Sequence, residues 1–144
     1  MSRLIRVFGI DNALRQRLQD GMPCLATCAG LILLSSEVLD GRDDQLTMNM
    51  LDISVRRNAW GRQVESFETE LTIDGFDAPF HGVFIRAPRI ESVGESVTVL
   101  ATHNGEPVAV NQGNVIGLTF HPEMTDDIRI HELFVSRIHA VVAV

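Results

Sequence analysis

Cys28 follows the short apolar run Met22-Pro23-Cys24-Leu25-Ala26-Thr27 and directly precedes Ala29-Gly30-Leu31-Ile32-Leu33-Leu34. The first run, entered from Gly21, reads as a buried strand, and the second begins a helix with no loop between them. A nucleophile held in so tight a turn stands exposed above the end of the strand. The backbone N–H groups of the next helical turn then face whatever it attacks. A helix N-terminus also favours thiolate over thiol, so this placement predicts a lowered Cys28 pKa. Buried free cysteine is common, and without its context Cys28 would read as a small core residue. The strand–helix junction favours the nucleophile. Cys24, inside the strand, reads as an inert core thiol.

A base for that nucleophile is available far along the chain, in Phe120-His121-Pro122-Glu123. Pro122 disfavours a helical His121 and predicts an extended segment, in which residues i and i+2 point the same way. Imidazole and carboxylate then approach one site together, with Glu123 holding the His121 tautomer. The bland reading of the tripeptide is a surface turn with two solvated polar groups. Paired with Cys28, it suggests a Cys–His–Glu triad. The rival is a zinc deaminase, which uses His-x-Glu and Pro-Cys-x-x-Cys. Here Pro23-Cys24 and Cys28 are spaced one residue too widely, and the two motifs come in reversed order.

Arg56-Arg57-Asn58-Ala59-Trp60-Gly61-Arg62-Gln63 and Phe84-Ile85-Arg86-Ala87-Pro88 concentrate groups that bind carboxylates and amides. A guanidinium fork suits an α-carboxylate because two parallel hydrogen bonds form at once. Any single arginine at a loop tip is ordinarily just solvated; clustered with Trp60 and Gly61, they read as a substrate rim. His81, His103, His131 and His139 show no partners in the sequence and read as surface or structural residues.

The elements that must position these groups are a helical stretch through Leu4, Ile5, Val7 and Phe8, and a second helix capped by Asp11 and ended by Gly21. The Cys28 helix follows. Strand-like segments lie at 51–55, 66–73, 80–85, 97–101, 108–111 and 115–120, punctuated by Gly, Pro and Asn. A last helix runs from Asp126 to about Ala140, with Ile128, Leu133, Phe134 and Ile138 at helical spacing. Helices around a strand-rich middle predict an α/β layered domain with a mixed sheet.

The 144 residues suit one domain with a real core, and 45% hydrophobic content suits a folded chain. A net charge of −7 and a pI near 5.1, with no basic stripe, argue against a nucleic-acid partner. No apolar run approaches the ~18 residues of a membrane span, and no leader is visible. Two cysteines in or beside one strand make no secreted disulfide framework, which predicts a cytoplasmic protein.

Thr27-Cys28-Ala29-Gly30-Leu31-Ile32, Arg57-Asn58-Ala59-Trp60-Gly61-Arg62-Gln63, Phe84-Ile85-Arg86-Ala87-Pro88 and Phe120-His121-Pro122-Glu123-Met124-Thr125-Asp126-Asp127 resemble the glutaminase subunits of pyridoxal 5′-phosphate synthase, a branch of the class I glutamine amidotransferases. The resemblance runs the length of the chain. It implies a single amidotransferase domain over 1–144, a three-layer α/β sandwich of flavodoxin-like type with a mixed, largely parallel sheet. It also implies Cys28 as nucleophile, His121 with Glu123 as its relay, and Arg57, Ile85 and Arg86 as glutamine contacts. The Ala29 N–H would serve the oxyanion. Such subunits use neither cofactor nor metal, and they pass ammonia from L-glutamine to a synthase subunit in a hetero-oligomer that builds pyridoxal 5′-phosphate.

The family carries a further segment before the position of Met1, with a strand, a helix and a Gly-Gly-Glu-Ser loop that supplies an oxyanion N–H. Relative to the family the chain is therefore expected to be N-terminally truncated, with low activity as written. The alternative this leaves is a catalytically impaired fragment that only binds the synthase subunit.

Overall fold

The computed structural model describes residues 2–42, 44–57 and 66–142. Two short helices come first, α1 (Ser2–Val7) and α2 (Asp11–Gln19). Asp11 does not cap α2 as the sequence suggests. Ile10 occupies the cap position, and Asp11 sits in the first turn, where its charge still suits the helix N-terminus. Gly21, at φ +89°, ends the helix by accepting a left-handed conformation that lets its N–H reach the Leu18 carbonyl and that of Met22 reach Arg17.

Strand β1 (Cys24–Thr27) turns at Cys28 into α3 (Ala29–Leu34), which runs without a break into β2 (Ser35–Val38). Then come β3 (Leu51–Arg56), β4 (Ser66–Leu71), β5 (Phe80–Ile85), β6 (Arg89–Val93), β7 (Thr98–His103), β8 (Glu106–Gln112) and β9 (Val115–Leu118). A 3-10 turn, Pro122–Met124, and the helix α4 (Arg129–Val142) complete the order. Strands β2 and β6 are absent from the sequence-based reading, and α4 starts later than Asp126. Asp127 fixes that start by accepting the Arg129 N–H at 3.1 Å.

The strands form a four-stranded sheet β1-β9-β8-β7, a three-stranded sheet β2-β3-β6 and the hairpin β4-β5. The expectation of a largely parallel sheet is corrected here. Among the described residues only β1·β9 and β2·β3 are parallel, and the other four pairings are antiparallel. Tight hairpins such as that at Asn104-Gly105 join consecutive strands, and only antiparallel neighbours can be joined so briefly. The parallel pair β1·β9 is the one that carries the candidate site.

The four-stranded sheet separates two apolar cores. Ala26, Val110 and Val115 face one, with Leu31, Leu51, Ile53 and Ile90. Ile116, Leu118 and Ala109 face the other, with Phe80, Phe84, Phe120 and Ile130. Successive residues of β9 thus pack on opposite sides, and every one of them is buried. Three layers result, with α3 and the β2-β3-β6 sheet on one face, and the β4-β5 hairpin with α4 on the other. Helix α3 lies close against β9 because Gly117 has no side chain. A Cβ there would come within 2.5 Å of Leu31 Cδ1 and 2.8 Å of Leu51 Cδ1. No helix among the described residues is long and apolar enough to cross a membrane.

Candidate active site

The parallel register Thr27↔Leu118 brings the ends of β1 and β9 side by side. Cys28 leaves the end of β1, and its N–H donates to the Leu118 carbonyl at 2.9 Å. His121 stands three residues beyond Leu118, so both residues emerge at the same edge of the sheet. Cys28 adopts φ 47° and ψ −104°, a left-handed conformation that an L-residue with a Cβ visits only under constraint. The hydrogen bonds on either side supply it, since the Cys28 carbonyl in turn accepts the Ile32 N–H at 3.3 Å and starts α3.

The sulfur lies 4.0 Å from the Ile85 carbonyl oxygen, at the end of β5. Arg86, the next residue, is also left-handed at φ 44°. Burial pushes the Cys28 thiol up from its ordinary pKa; the Ala29 N–H directed at the sulfur opposes this, the Glu123 charge adds to it and the Arg86 charge opposes it. This corrects the lowered pKa expected from a helix N-terminus. A helix of six residues sums few peptide dipoles, and a half-buried thiolate loses more hydration than they return. The net effect favours the neutral thiol over the thiolate. Burial also raises the Cys24 pKa.

His121 Nδ1 lies 2.7 Å from Glu123 Oε1. The contact arises differently from the extended segment expected. Pro122 opens a 3-10 turn that folds Glu123 back onto the ring, while the His121 N–H is anchored on the Val83 carbonyl at 2.9 Å. Burial works to raise the Glu123 pKa, but the hydrogen bond with His121, its own backbone N–H and the charges of His121 and His131 together hold it below the usual range. An ionised carboxylate only accepts, so in the neutral ring Nδ1 carries the proton and Nε2 is left as the acceptor. His131, on α4, is a member of this electrostatic set that the sequence did not reveal.

The arginines divide. Arg56 turns away to Glu91, at 3.0 Å. Arg57 is held by its N–H to Asp40 Oδ1 at 2.6 Å, and it lines a cleft of about 460 Å³ together with Ala29. Asn58 to Gln63, including Trp60, lie outside the described residues. His81 is not isolated: its ring nitrogens meet Glu70 at 2.8 Å and Glu68 at 2.9 Å across the hairpin. Glu68 and Glu70 sit on one face of β4, and pairing Glu70 with His81 supplies the contact.

The zinc alternative does not fit this geometry. Cys24 and Cys28 stand at opposite ends of β1, roughly 13 Å apart along an extended strand, too far for two thiolates on one ion. Among the described residues, no three His, Cys, Asp or Glu side chains converge as a metal cage.

A cysteine in a strained strand–helix elbow, with a His–Glu pair in the turn that follows the adjacent parallel strand, fits the amidotransferase class of α/β hydrolytic folds. The chain belongs to the SNO glutamine amidotransferase family, whose model matches residues 1–140. It is 51% identical over 140 residues to the pyridoxal 5′-phosphate synthase subunit PdxT of Mycobacteroides abscessus, covering 97% of this chain and 72% of that protein. The PdxT subunit of Halorubrum lacusprofundi is 55% identical over 133 residues, covering 92% and 66%. A crystal structure of a glutamine amidotransferase superposes with a TM-score of 0.88 at 44% identity, over 94% of this chain and 71% of the other. A Thermoplasma acidophilum structure described as a component of GMP synthase shares the fold at a TM-score of 0.65 and 12% identity, over 94% and 67%.

Proposed function

We propose that the chain is the glutaminase of a two-component pyridoxal 5′-phosphate synthase, a single amidotransferase domain that hydrolyses L-glutamine and delivers ammonia to the synthase subunit. Family membership and the PdxT relatives support the activity and the partnership. The observation that carries the mechanism is the parallel pair β1·β9, which sends the Cys28 elbow and the His121–Glu123 pair out of one sheet edge.

His121 Nε2 takes the thiol proton, and the Cys28 sulfur attacks the side-chain amide carbon of glutamine. The carbonyl becomes a tetrahedral oxyanion facing the Ala29 N–H. His121 returns the proton to the leaving nitrogen, the C–N bond breaks, and ammonia departs from a thioester. Water, deprotonated by His121, then cleaves the thioester to give glutamate and the free thiol. Glu123 keeps Nδ1–H in place throughout. Arg57 is the fork for the α-carboxylate, while Ile85 and Arg86 border the amide end. The free thiols of Cys24 and Cys28 suit a reducing cytoplasm.

The test is a glutamine-mimicking electrophile followed by mass mapping, run alongside ammonia release with the synthase subunit present. Label on Cys28 but not Cys24, with turnover abolished in Cys28→Ala and retained in Cys24→Ala, is the expected result. Label on Cys24, or turnover surviving Cys28→Ala, overturns the assignment.

A further inference from the structure

The cleft beside Ala29 has an electrostatic character that the glutaminase reading does not use. Arg3 and Arg6 from α1, Arg42 from the loop after β2, and Arg57 after β3 all line it, with Asp44 as the one acidic side chain among the described lining residues. Among the described residues that line it, four guanidinium groups face one carboxylate, in a chain whose net charge is −7. A third of the chain's twelve arginines have been gathered to one concavity by segments far apart in sequence.

The groups present do not neutralise one another. Arg42 meets Asp44 at 3.1 Å, but the two side chains are 77% and 64% exposed, so water screens the pair and leaves the guanidinium available. Arg6 donates to the backbone carbonyl of Asp44 at 2.7 Å, which satisfies one N–H without adding negative charge. Arg57 Nη1 reaches the neutral Gln45 oxygen at 3.4 Å, while its backbone N–H is bound by the Asp40 carboxylate. Arg3 has no hydrogen-bond partner among the described residues. One carboxylate, as in glutamine, needs one fork. Val7, Ala29 and Ile32 contribute apolar surface to the same cleft, room for a small carbon group beside the charge.

We propose that this cleft is a binding site for a doubly charged oxyanion of the phosphate type, held by Arg3, Arg6 and Arg42 against Arg57. A ligand there occupies the fork assigned to the glutamine α-carboxylate and lies beside the Ala29 N–H, so it inhibits competitively. The competition rests on the glutaminase reading; the binding does not.

Binding is therefore measured directly, by calorimetry at constant low ionic strength in the Cys28→Ala chain, with inorganic phosphate and with glycerol 3-phosphate as probes. Saturable one-to-one binding of phosphate is expected, weakening roughly tenfold in Arg6→Ala or Arg42→Ala, the loss of one charge-assisted bond. Arg42→Lys, which keeps the charge, should fall between. Glycerol 3-phosphate binding more tightly than phosphate identifies a phosphate monoester as the fitting ligand; equal affinity identifies the free anion. No saturable binding of either probe, or unchanged affinity in an Arg6→Ala/Arg42→Ala double variant, overturns the proposal. In the active chain with its synthase subunit, phosphate should raise the KM for glutamine and leave kcat unchanged. Absence of glutaminase activity alongside intact phosphate binding removes the glutaminase reading and leaves the anion site standing.

Discussion

The Cys28 elbow makes a stability prediction that separates strain from chemistry. Comparing Cys28→Ala with Cys28→Gly removes the sulfur in both, so the two variants differ only by a Cβ at φ 47° and ψ −104°. An L-residue held in such a sparsely allowed region costs about 1–3 kcal/mol, and glycine escapes that cost. Against this, glycine loses about 0.5–1 kcal/mol more backbone entropy on folding. Removing a half-buried methyl forfeits roughly half of the ~0.8 kcal/mol of a fully buried one. The balance leaves Cys28→Gly more stable than Cys28→Ala by about 1 kcal/mol, or roughly 2–4 °C in Tm for a chain of this size. Urea melts of the two purified variants, with thermal melts as a second probe, measure it. A Cys28→Gly chain less stable than Cys28→Ala would refute the claim that the elbow is strained.

Further outcomes follow from other contacts. Iodoacetamide alkylation of Cys28 against pH should shift to higher pH in Arg86→Ala and to lower pH in Glu123→Gln, because those charges respectively favour and oppose the thiolate; shifts of the reverse sign refute this electrostatic account. Glu123→Gln should nonetheless lower ammonia release, since an amide can turn its NH₂ to Nδ1 and free the wrong tautomer. Gly117→Ala should cost about 1–3 kcal/mol in urea melts by driving Leu31 and Leu51 off the sheet. His81 has its pKa raised by hydrogen bonds to Glu70 and then Glu68. It stabilises the fold below the ordinary histidine pKa, and the contribution is lost as pH rises through the folded value. His81→Gln should therefore narrow its stability deficit as pH rises from 6 to 9, followed by melts at each pH.

The parts of the site written in short local patterns were legible. A strand meeting a helix at Cys28 needs only the six residues on either side, and Gly21 as a helix stop needs only its own freedom at positive φ. What depended on pairing across the chain was not. Strand β2 was hidden because Ser35-Ser36-Glu37-Val38 continues α3 directly and has a single apolar residue, so β3 rather than local propensity makes it a strand. Strand β6 is five residues with two apolar, and its pairing with β3 decides it. The glutamates around His81 meet it through a register no local pattern encodes. Arg6 and Asp44 touch across 38 residues, which is why the arginine cleft appears only in the fold. The lowered Cys28 pKa fails for a related reason: the helix is visible in sequence, but the burial that outweighs it is not.

Glu123 shows why the raised thiol pKa suits this chemistry. Its charge makes the Cys28 thiolate harder to form, yet the same charge fixes the proton on His121 Nδ1 and leaves Nε2 to accept. A carboxylate that only tuned the nucleophile would be misplaced here; one that orients a base is well placed. In the proposed mechanism the base removes the proton when the thiol attacks, and the resulting imidazolium beside Glu123 gains the stabilisation that the thiolate loses. A neutral resting thiol is also less open to adventitious electrophiles and oxidants than a standing thiolate. In the proposed mechanism the elbow, the pair in the turn after β9 and the burial of the sulfur act together: they defer ionisation to the step in which the amide is attacked.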